Sequence, residues 1–380
     1  MKFTQIIREA GVAGAGGAGF PAYAKHKPGA ADTLVVNAAE CDPLLYTDAQ
    51  ILRERLADVV AGAEIILEAD GMKEAVIGME PSRADMLGVS DGAPLSGRVR
   101  VRVLPAVYPI GDEISLIWQT TGRLVPPGRL PVAAGVVVHN VETVLNVFRA
   151  CRDGAPVTHK WLTVSGRVDS PSVLCVPVGT PVAQLFSHLG ITVAEDICVF
   201  DGGPAMGQRI DPASAVVKKT TNGLMLLPAT SEAAMRVRRT PGSNYGRAIT
   251  ACCQCTRCTD MCPRHLLGYP LEPHRMVRAA ATGKSDPVLV RTALLCCGCG
   301  VCESLACTQG ISPRTINDGF KAALRRQNIT FEPDPAVIYR PDRMRDVRLV
   351  PSARVKATLG VTAFDRRPTR VPDGWEPTEV

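Results

Sequence analysis

Two hydrophobic periods alternate through the first 150 residues of the chain. "TLVV" (Thr33–Val36) and "AVIGM" (Ala75–Met79) are short apolar runs that predict buried strands, and "VRVRVL" (99–104) alternates with period two. Between the first two, Ile51, Leu52, Leu56, Val59, Val60, Ala63 and Leu67 follow the helical period, and Gly71 stands where a helix would stop. "GVVVHNVETVLNVFRA" (135–150) reads as a buried strand that turns directly into a helix. Strands and helices in alternation predict an α/β layer fold with a mostly parallel sheet, assigned to residues 1–155.

The pattern changes near Pro156. "KWLTVSGRV", "SVLCVPVG" and "ICVFDGG" predict short strands between Gly and Pro turns, with one helix in "PVAQLFSHLG". Residues 156–235 therefore read as a small β-rich domain with a single helix. A polar stretch, 236–244, leads into a cysteine-rich region at 245–328. There "EPHRMVRAAATG" and "SPRTINDGFKAALRRQ" predict helices. From 329 to 380 the chain is rich in Pro and Arg with weak periodicity, which predicts an irregular, solvated tail.

Composition adds bounds to this layout. Apolar residues make up 46%, charged residues 21% and aromatics 4%, the values of a soluble globular chain. The longest apolar runs are too short to span a bilayer, so no membrane span is expected. The start of the chain lacks a basic segment followed by an apolar run, so the expected location is cytoplasmic. The net charge is +6, and residues 314–370 hold 13 Lys/Arg against 6 Asp/Glu. Such a surplus suits a solvated tail or an acidic partner, and no nucleic-acid role is expected.

Ten of the fourteen cysteines lie between Cys252 and Cys307. In a cytoplasmic chain that clustering points to metal and not to disulfides. The first run is Cys252-x2-Cys255-x2-Cys258-x3-Cys262-Pro263; the second is Cys296-x2-Cys299-x2-Cys302-x4-Cys307. Three cysteines at two-residue spacing wrap a loop that reaches three corners of a cube. In two-cluster ferredoxins the fourth cysteine of each run serves the other run's cluster. That rule pairs Cys252, Cys255 and Cys258 with Cys307, and Cys296, Cys299 and Cys302 with Cys262. Structural zinc is the rival, but it asks for pairs of knuckles and four ligands, not triplets plus one. Cys253 and Cys297 fall outside the ladder and read as non-ligands. Cys151, Cys175 and Cys198 read as structural.

"GVAGAGGAGFPAYAKH" (11–26) contains Gly14, Gly16, Gly17 and Gly19 in a literal G-x-G-x-x-G. The dinucleotide fingerprint follows a strand and opens a helix. This loop follows a helical pattern, "FTQIIREA", and runs into Phe20-Pro21, so the ordinary Rossmann reading fails on context. A flexible linker is the plain alternative. A glycine-rich backbone beside Lys25 still suits a phosphate. "NAAECDP" (37–43), "YPIGDE" (108–113) and "HNVETVLN" (139–146) add polar groups at predicted strand ends, where open α/β sheets bind ligands. Asn140 is a credible helix N-cap.

The glycine loop, "VNAAECDP", "YPIGDE" and "NVET", in this order, resemble the flavin- and NADH-binding subunit of respiratory complex I and the C subunit of Rnf complexes. The doubled cysteines "CCQC" and "CCGC", with "CPRHLLG", "LEPH" and "GISPR", resemble the cobalamin reductase branch associated with propanediol-utilisation microcompartments. The likeness runs from about Thr4 to Asn317. It implies a Rossmann-like domain binding FMN with NAD(P)H over it, a small β-grasp (SLBB-like) domain, and a ferredoxin-like domain with two 4Fe-4S clusters. By position, Gly14, Gly16 and Lys25 would approach the FMN phosphate and ribityl, with Gly17 and Gly19 in the same loop. Asn37, Glu40, Asn140 and Thr143 would hold the flavin. Asp42, Asp112 and Glu113, with Gly111 beside them, would lie near flavin or nicotinamide. Ala39 and His139 depart from the complex I pattern.

The resemblance implies an electron route from NAD(P)H through FMN and two clusters to an acceptor, a corrinoid in the nearest branch. No general base or nucleophile is needed, because the cofactors carry the chemistry. The implied partners are a redox protein, a corrinoid or corrinoid adenosyltransferase, and a microcompartment shell protein. Two other readings are an Rnf-type electron-transport subunit and a non-catalytic relay.

Overall fold

The structure, a computed structural model, describes residues 2–284 and 286–374. A short helix, α1 (Phe3–Glu9), precedes the glycine loop. The first sheet then holds β1 (Thr33–Ala38), β2 (Glu74–Met79), β3 (Val99–Val103) and, after the short β4 (Val107–Tyr108), β5 (Val136–Asn140). Its order is β3-β2-β1-β5, all parallel. The connecting helices are α2 (Thr47–Asp70), α3 (Pro81–Leu87), α4 (Glu113–Thr121) and α5 (Val141–Asp153). Successive residues of β1 serve opposite faces. Leu34 and Val36 pack under α2 and α5, while Val35 packs with Ile114 and Ile117 of α4. The same second core takes in Cys262, Leu271 and Met276, so the cysteine-bearing region covers the sheet's other face.

The second sheet is mixed, in the order β12-β7-β6-β10-β8-β9, where β12 is Thr369–Arg370. It holds β6 (His159–Gly166), β7 (Ser172–Pro177), β8 (Ile197–Asp201), β9 (Gln208–Ile210) and β10 (Gly223–Pro228). β10 runs parallel to β6 and antiparallel to β8. One helix, α6 (Val182–His188), buries Val182, Leu185 and Phe186 against Leu162, Leu174 and Leu224.

Short helices build the third part: α7 (Glu232–Arg238), α8 (Pro241–Thr250), α9 (Arg257–Asp260), α10 (Pro263–Leu266), α11 (Pro273–Thr282), α12 (Pro287–Arg291) and α13 (Pro313–Arg326). Residues 329–374 differ from the sequence reading. They are largely irregular, but they are a strap and not a solvated tail. Within them lie α14 (Arg345–Arg348), β11 (Val350–Pro351), α15 (Ser352–Thr358) and β12 (Thr369–Arg370). β11 pairs with β4, and β12 extends the second sheet beside β7. Val350, Val355, Leu359 and Val361 are buried beside Tyr108 and Cys299. Much of the basic surplus is internally matched: Arg345 pairs with Asp346, Lys356 with Asp365, and Arg370 with Glu54. Pro and Arg break the periodicity of this segment. Its isolated apolar anchors carry no repeating signal.

Candidate functional site

A cleft opens at the carboxyl ends of β1 and β5, where a parallel sheet gathers ligand groups. The glycine loop closes on itself through an Ala13–Pro21 bridge and lies against the start of α5. Two residues fix that contact. The Ala15 N–H donates to Thr143 Oγ1 (3.0 Å). Asn140 caps α5 by accepting from the Glu142 N–H (2.9 Å) and donates to Asp48 Oδ2 (2.8 Å). A Cβ at Gly16 would lie 3.3 Å from the Asn140 side chain, so a larger residue there would push the loop away. Thr143→Ala strands the Ala15 N–H, at a cost of about 1–3 kcal/mol. It should weaken affinity for FMN, the ligand the family resemblance implies, about tenfold or more, checked by fluorescence titration of the stripped protein.

One arm of the cleft, about 530 Å3, is lined by Gly14, Gly16, Lys25, Glu113, His139 and Thr143. Lys25 Nζ donates to Glu113 Oε1 (3.1 Å) and to the Val138 carbonyl (3.0 Å). The other arm, about 610 Å3, passes Gly17, Glu40, Asp42 and Asp112 and ends at Cys297 and Cys299. Gly16, Ala18, Asn37, Gly111 and Asn140 line both arms. Asn37 sits at the junction, donating to the Gly111 carbonyl (2.9 Å) and accepting from the Ala39 N–H (3.1 Å). Each arm has the size of a cofactor site. Gly19 lies beyond the lining and packs on Thr220.

Several acids named from the sequence are already engaged. Glu40 accepts from the Asp48 N–H at the start of α2 (3.1 Å) and pairs with Arg83 (3.4 Å). Burial raises its pKa, against the pull of Arg83. Asp112 caps α4 through the Ser115 N–H and binds Arg264 at 2.7 Å. Asp42 accepts from the Ala205 and Met206 N–H groups (2.9 and 3.0 Å), tying the first sheet's loop to the β8–β9 turn.

Two further groups, Asp48 and Arg264, were not singled out by sequence reasoning, and a third, His139, stood there only as a departure from the complex I pattern. Asp48 is buried beside Glu40, and burial with that neighbour pushes its carboxyl well above the usual range. Its position in a helix's first turn reads as a routine capping acid. His139 belongs to a buried chain: Asp70 Oδ2 lies 2.7 Å from His26 Nδ1, and His26 Nε2 lies 2.9 Å from His139 Nε2. Burial drives the His139 pKa well down, so a neutral imidazole faces the cleft. Arg264 lines both a cysteine cavity and the contact to Asp112, and its Nε has no partner among the described residues.

The cysteines gather into two groups that cross the runs. Cys252, Cys255, Cys258 and Cys307 line one small cavity with His274. Cys262, Cys296, Cys299 and Cys302 line another with Arg264 and Arg314. Cys253 touches the first cavity from an exposed position. Cys297 lines the second cavity and also the larger arm of the cleft. Burial pushes the Cys258 and Cys262 thiols up to about 12, so metal binding must displace their protons. Among the described residues no three Cys, His, Asp or Glu side chains converge on a single-ion site. Four thiols around a void suit the corners of a cubane, whereas one zinc ion draws its sulfurs to about 2.3 Å. Among the described residues no helix is long and apolar enough to cross a membrane.

Two family models match the chain. One, described as the Nuo51 FMN-binding domain, covers residues 7–149; the other, a 4Fe-4S dicluster domain, covers residues 251–312. The cobalamin reductase PduS of Citrobacter freundii is 41% identical over 357 residues, 94% of this chain and 78% of that protein. Its counterpart from Salmonella typhimurium is 41% identical over 366 residues, 96% of this chain and 80% of that protein. The C subunit of the ion-translocating oxidoreductase complex of Erwinia tasmaniensis is 35% identical over 269 residues. That match covers 70% of this chain and 32% of the Erwinia protein. Among solved structures, an NAD+-reducing NiFe-hydrogenase in the H2-reduced state gives a TM-score of 0.49 at 20% identity. It covers 86% of this chain, which spans 61% of the hydrogenase chain's length.

Proposed function

The chain belongs to the cobalamin reductase family, with an FMN-binding domain and a 4Fe-4S dicluster domain, and from that premise we infer that it oxidises NAD(P)H and reduces a corrinoid. The observation that carries this reading is the continuity of the cleft. It starts at the glycine loop and ends on Cys297 and Cys299, at the wall of the second thiol cavity. When bound, FMN exchanges a hydride for single electrons, and 4Fe-4S clusters accept them one at a time.

The protein's part is binding and placement. Gly14, Gly16, Gly17 and Gly19 keep the loop low over the cleft, and Lys25 sets a cation at its phosphate end. Asn37, Glu40, Asn140 and Thr143 shape the flavin seat, three of them through the hydrogen bonds that hold the loop and the helix starts. Asp42 and Asp112 act indirectly: each ties the cleft to a neighbouring domain. Cys252, Cys255, Cys258 and Cys307 hold one cluster; Cys262, Cys296, Cys299 and Cys302 hold the other. The second sheet, with β10 parallel to β6 and a single helix across it, supports a β-grasp assignment for residues 156–235. A cytoplasmic site of action, inside a microcompartment, fits the branch the sequence resembles.

Anaerobic purification tests the reading. The expected product is a yellow-brown protein with FMN and about eight iron atoms per chain, in which NADH or NADPH drives reduction of hydroxocobalamin. A colourless, zinc-containing protein without flavin would overturn it.

A further inference from the structure

The iron–sulfur end carries a surface that this chemistry leaves unused. α9 and α11 supply walls of the first thiol cavity, α8 packs on α11 with Ala248 against Cys252 and Cys307, and the cavity's outer wall, Cys253, Gln254 and Cys255, is exposed. Tyr245 and Ile249 stand four residues apart on one face of α8 and are 41% and 65% exposed. The second cavity differs: Cys262 and Cys299 are buried, and its neighbour Cys297 faces the cleft. Electrons that enter beside Cys297 therefore have their open way out at the first cavity.

Charge marks the same end. Residues 235–284 hold nine Lys/Arg against two Asp/Glu. Both acids are already matched, Glu272 by Arg275 and Asp260 by Arg348. Arg236, Arg239 and Arg264 are turned to acids of the protein itself. Arg238, Arg247, Arg257, Arg278 and Lys284 are exposed.

We propose that this basic surface by the first cluster, with its exposed Tyr245 and Ile249, docks an acidic protein that carries its own one-electron acceptor. The inference rests on the proposed function, which makes the first cluster the last carrier. Exposed cations steer an acidic partner and fix its orientation, and exposed apolar side chains on the same part of the chain supply dry contact. A second copy of this chain is a poor occupant, because two such faces repel. The step balances simply: the reduced cluster loses one electron, the partner's centre gains it, and no bond forms or breaks. A corrinoid held by a protein is such a centre.

The test uses the intact protein, chemically reduced with dithionite and freed of excess reductant. Two acceptors share one haem and differ in charge: native cytochrome c, which is basic, and its succinylated, acidic form. Stopped-flow rates should favour the acidic form at least tenfold at low salt, and the preference should fade as salt screens it. Arg257→Glu with Arg278→Glu should cut the acidic form's rate about tenfold and speed the native one, with the cluster EPR spectrum unchanged. Intact cluster signals with a charge-blind rate, or self-association through this face in sedimentation, overturn the docking inference alone. Absence of cluster signals in the reduced protein overturns the proposed function and this inference with it.

Discussion

Cys262→Ser protein should purify with about four iron atoms per chain in place of about eight, and should lose corrinoid reduction while NADH still bleaches its flavin. Cys262 follows the first cysteine triplet in the chain, so a reading in which each run holds its own cluster assigns it there. The fold places its sulfur with Cys296, Cys299 and Cys302, in the cavity next to the cleft. Burial keeps this group away from water, so a serine hydroxyl cannot be replaced by a solvent ligand from outside. On the proposed assignment the cluster lost is the one at the cleft, and the other cluster survives without a donor. NADH-driven reduction of hydroxocobalamin should fall at least 100-fold, equivalent to about 2.7 kcal/mol of barrier. Cys253→Ser is the control: both clusters and full iron should remain. EPR of dithionite-reduced protein separates the outcomes. If Cys262→Ser keeps a cluster that passes electrons from flavin, or if Cys253→Ser loses one, the ligand assignment is wrong.

The parts of this architecture with a period were legible in the chain. The strand at Thr33–Ala38, the long helix ending at Gly71, and the strand-to-helix turn at Asn140 all stand where their hydrophobic spacing put them. Two-residue spacing, with the fourth cysteine of each run crossing over, gives the same groups that line the two cavities. What had no period stayed hidden. Residues 350–361 carry four buried anchors among polar residues, and their partners lie far away in sequence. The Asp70–His26–His139 chain joins residues 44 and 113 positions apart, which no local pattern announces. Asp42 lines the cleft, where the family motif puts it, but a motif marks position and not partner. Its hydrogen bonds reach residues 163 and 164 positions away.

That contact carries the second large effect. Asp42 holds the β8–β9 turn, and the same turn takes Arg236 at the Gly207 carbonyl (3.1 Å) and Arg314 at the Ala205 carbonyl (3.4 Å). Glu303, next to Cys302, pairs with both arginines. The loop after β1, the second sheet and the cysteine-bearing region thus meet at one turn that lines the cleft. Gly203 admits the carboxylate: a Cβ there would lie 2.2 Å from Asp42 Cγ. Gly203→Ala should cost about 1–3 kcal/mol at any pH and slow electron passage from flavin to cluster with FMN still bound. Asp42→Asn should act through pH. Burial raises the Asp42 pKa from 3.8 to about 6, so between those values the folded state binds more protons than the unfolded one. Stability from this group is then greatest below pH 4 and is lost as pH rises to about 6, by about 3 kcal/mol in all. Asparagine cannot titrate, so the stability gap between wild type and Asp42→Asn, followed by denaturant unfolding, should shift by that amount between pH 4 and 7. It should shift in favour of the variant at the higher pH. An unchanged gap across that range would show that Asp42 does not hold the turn as a buried carboxylate.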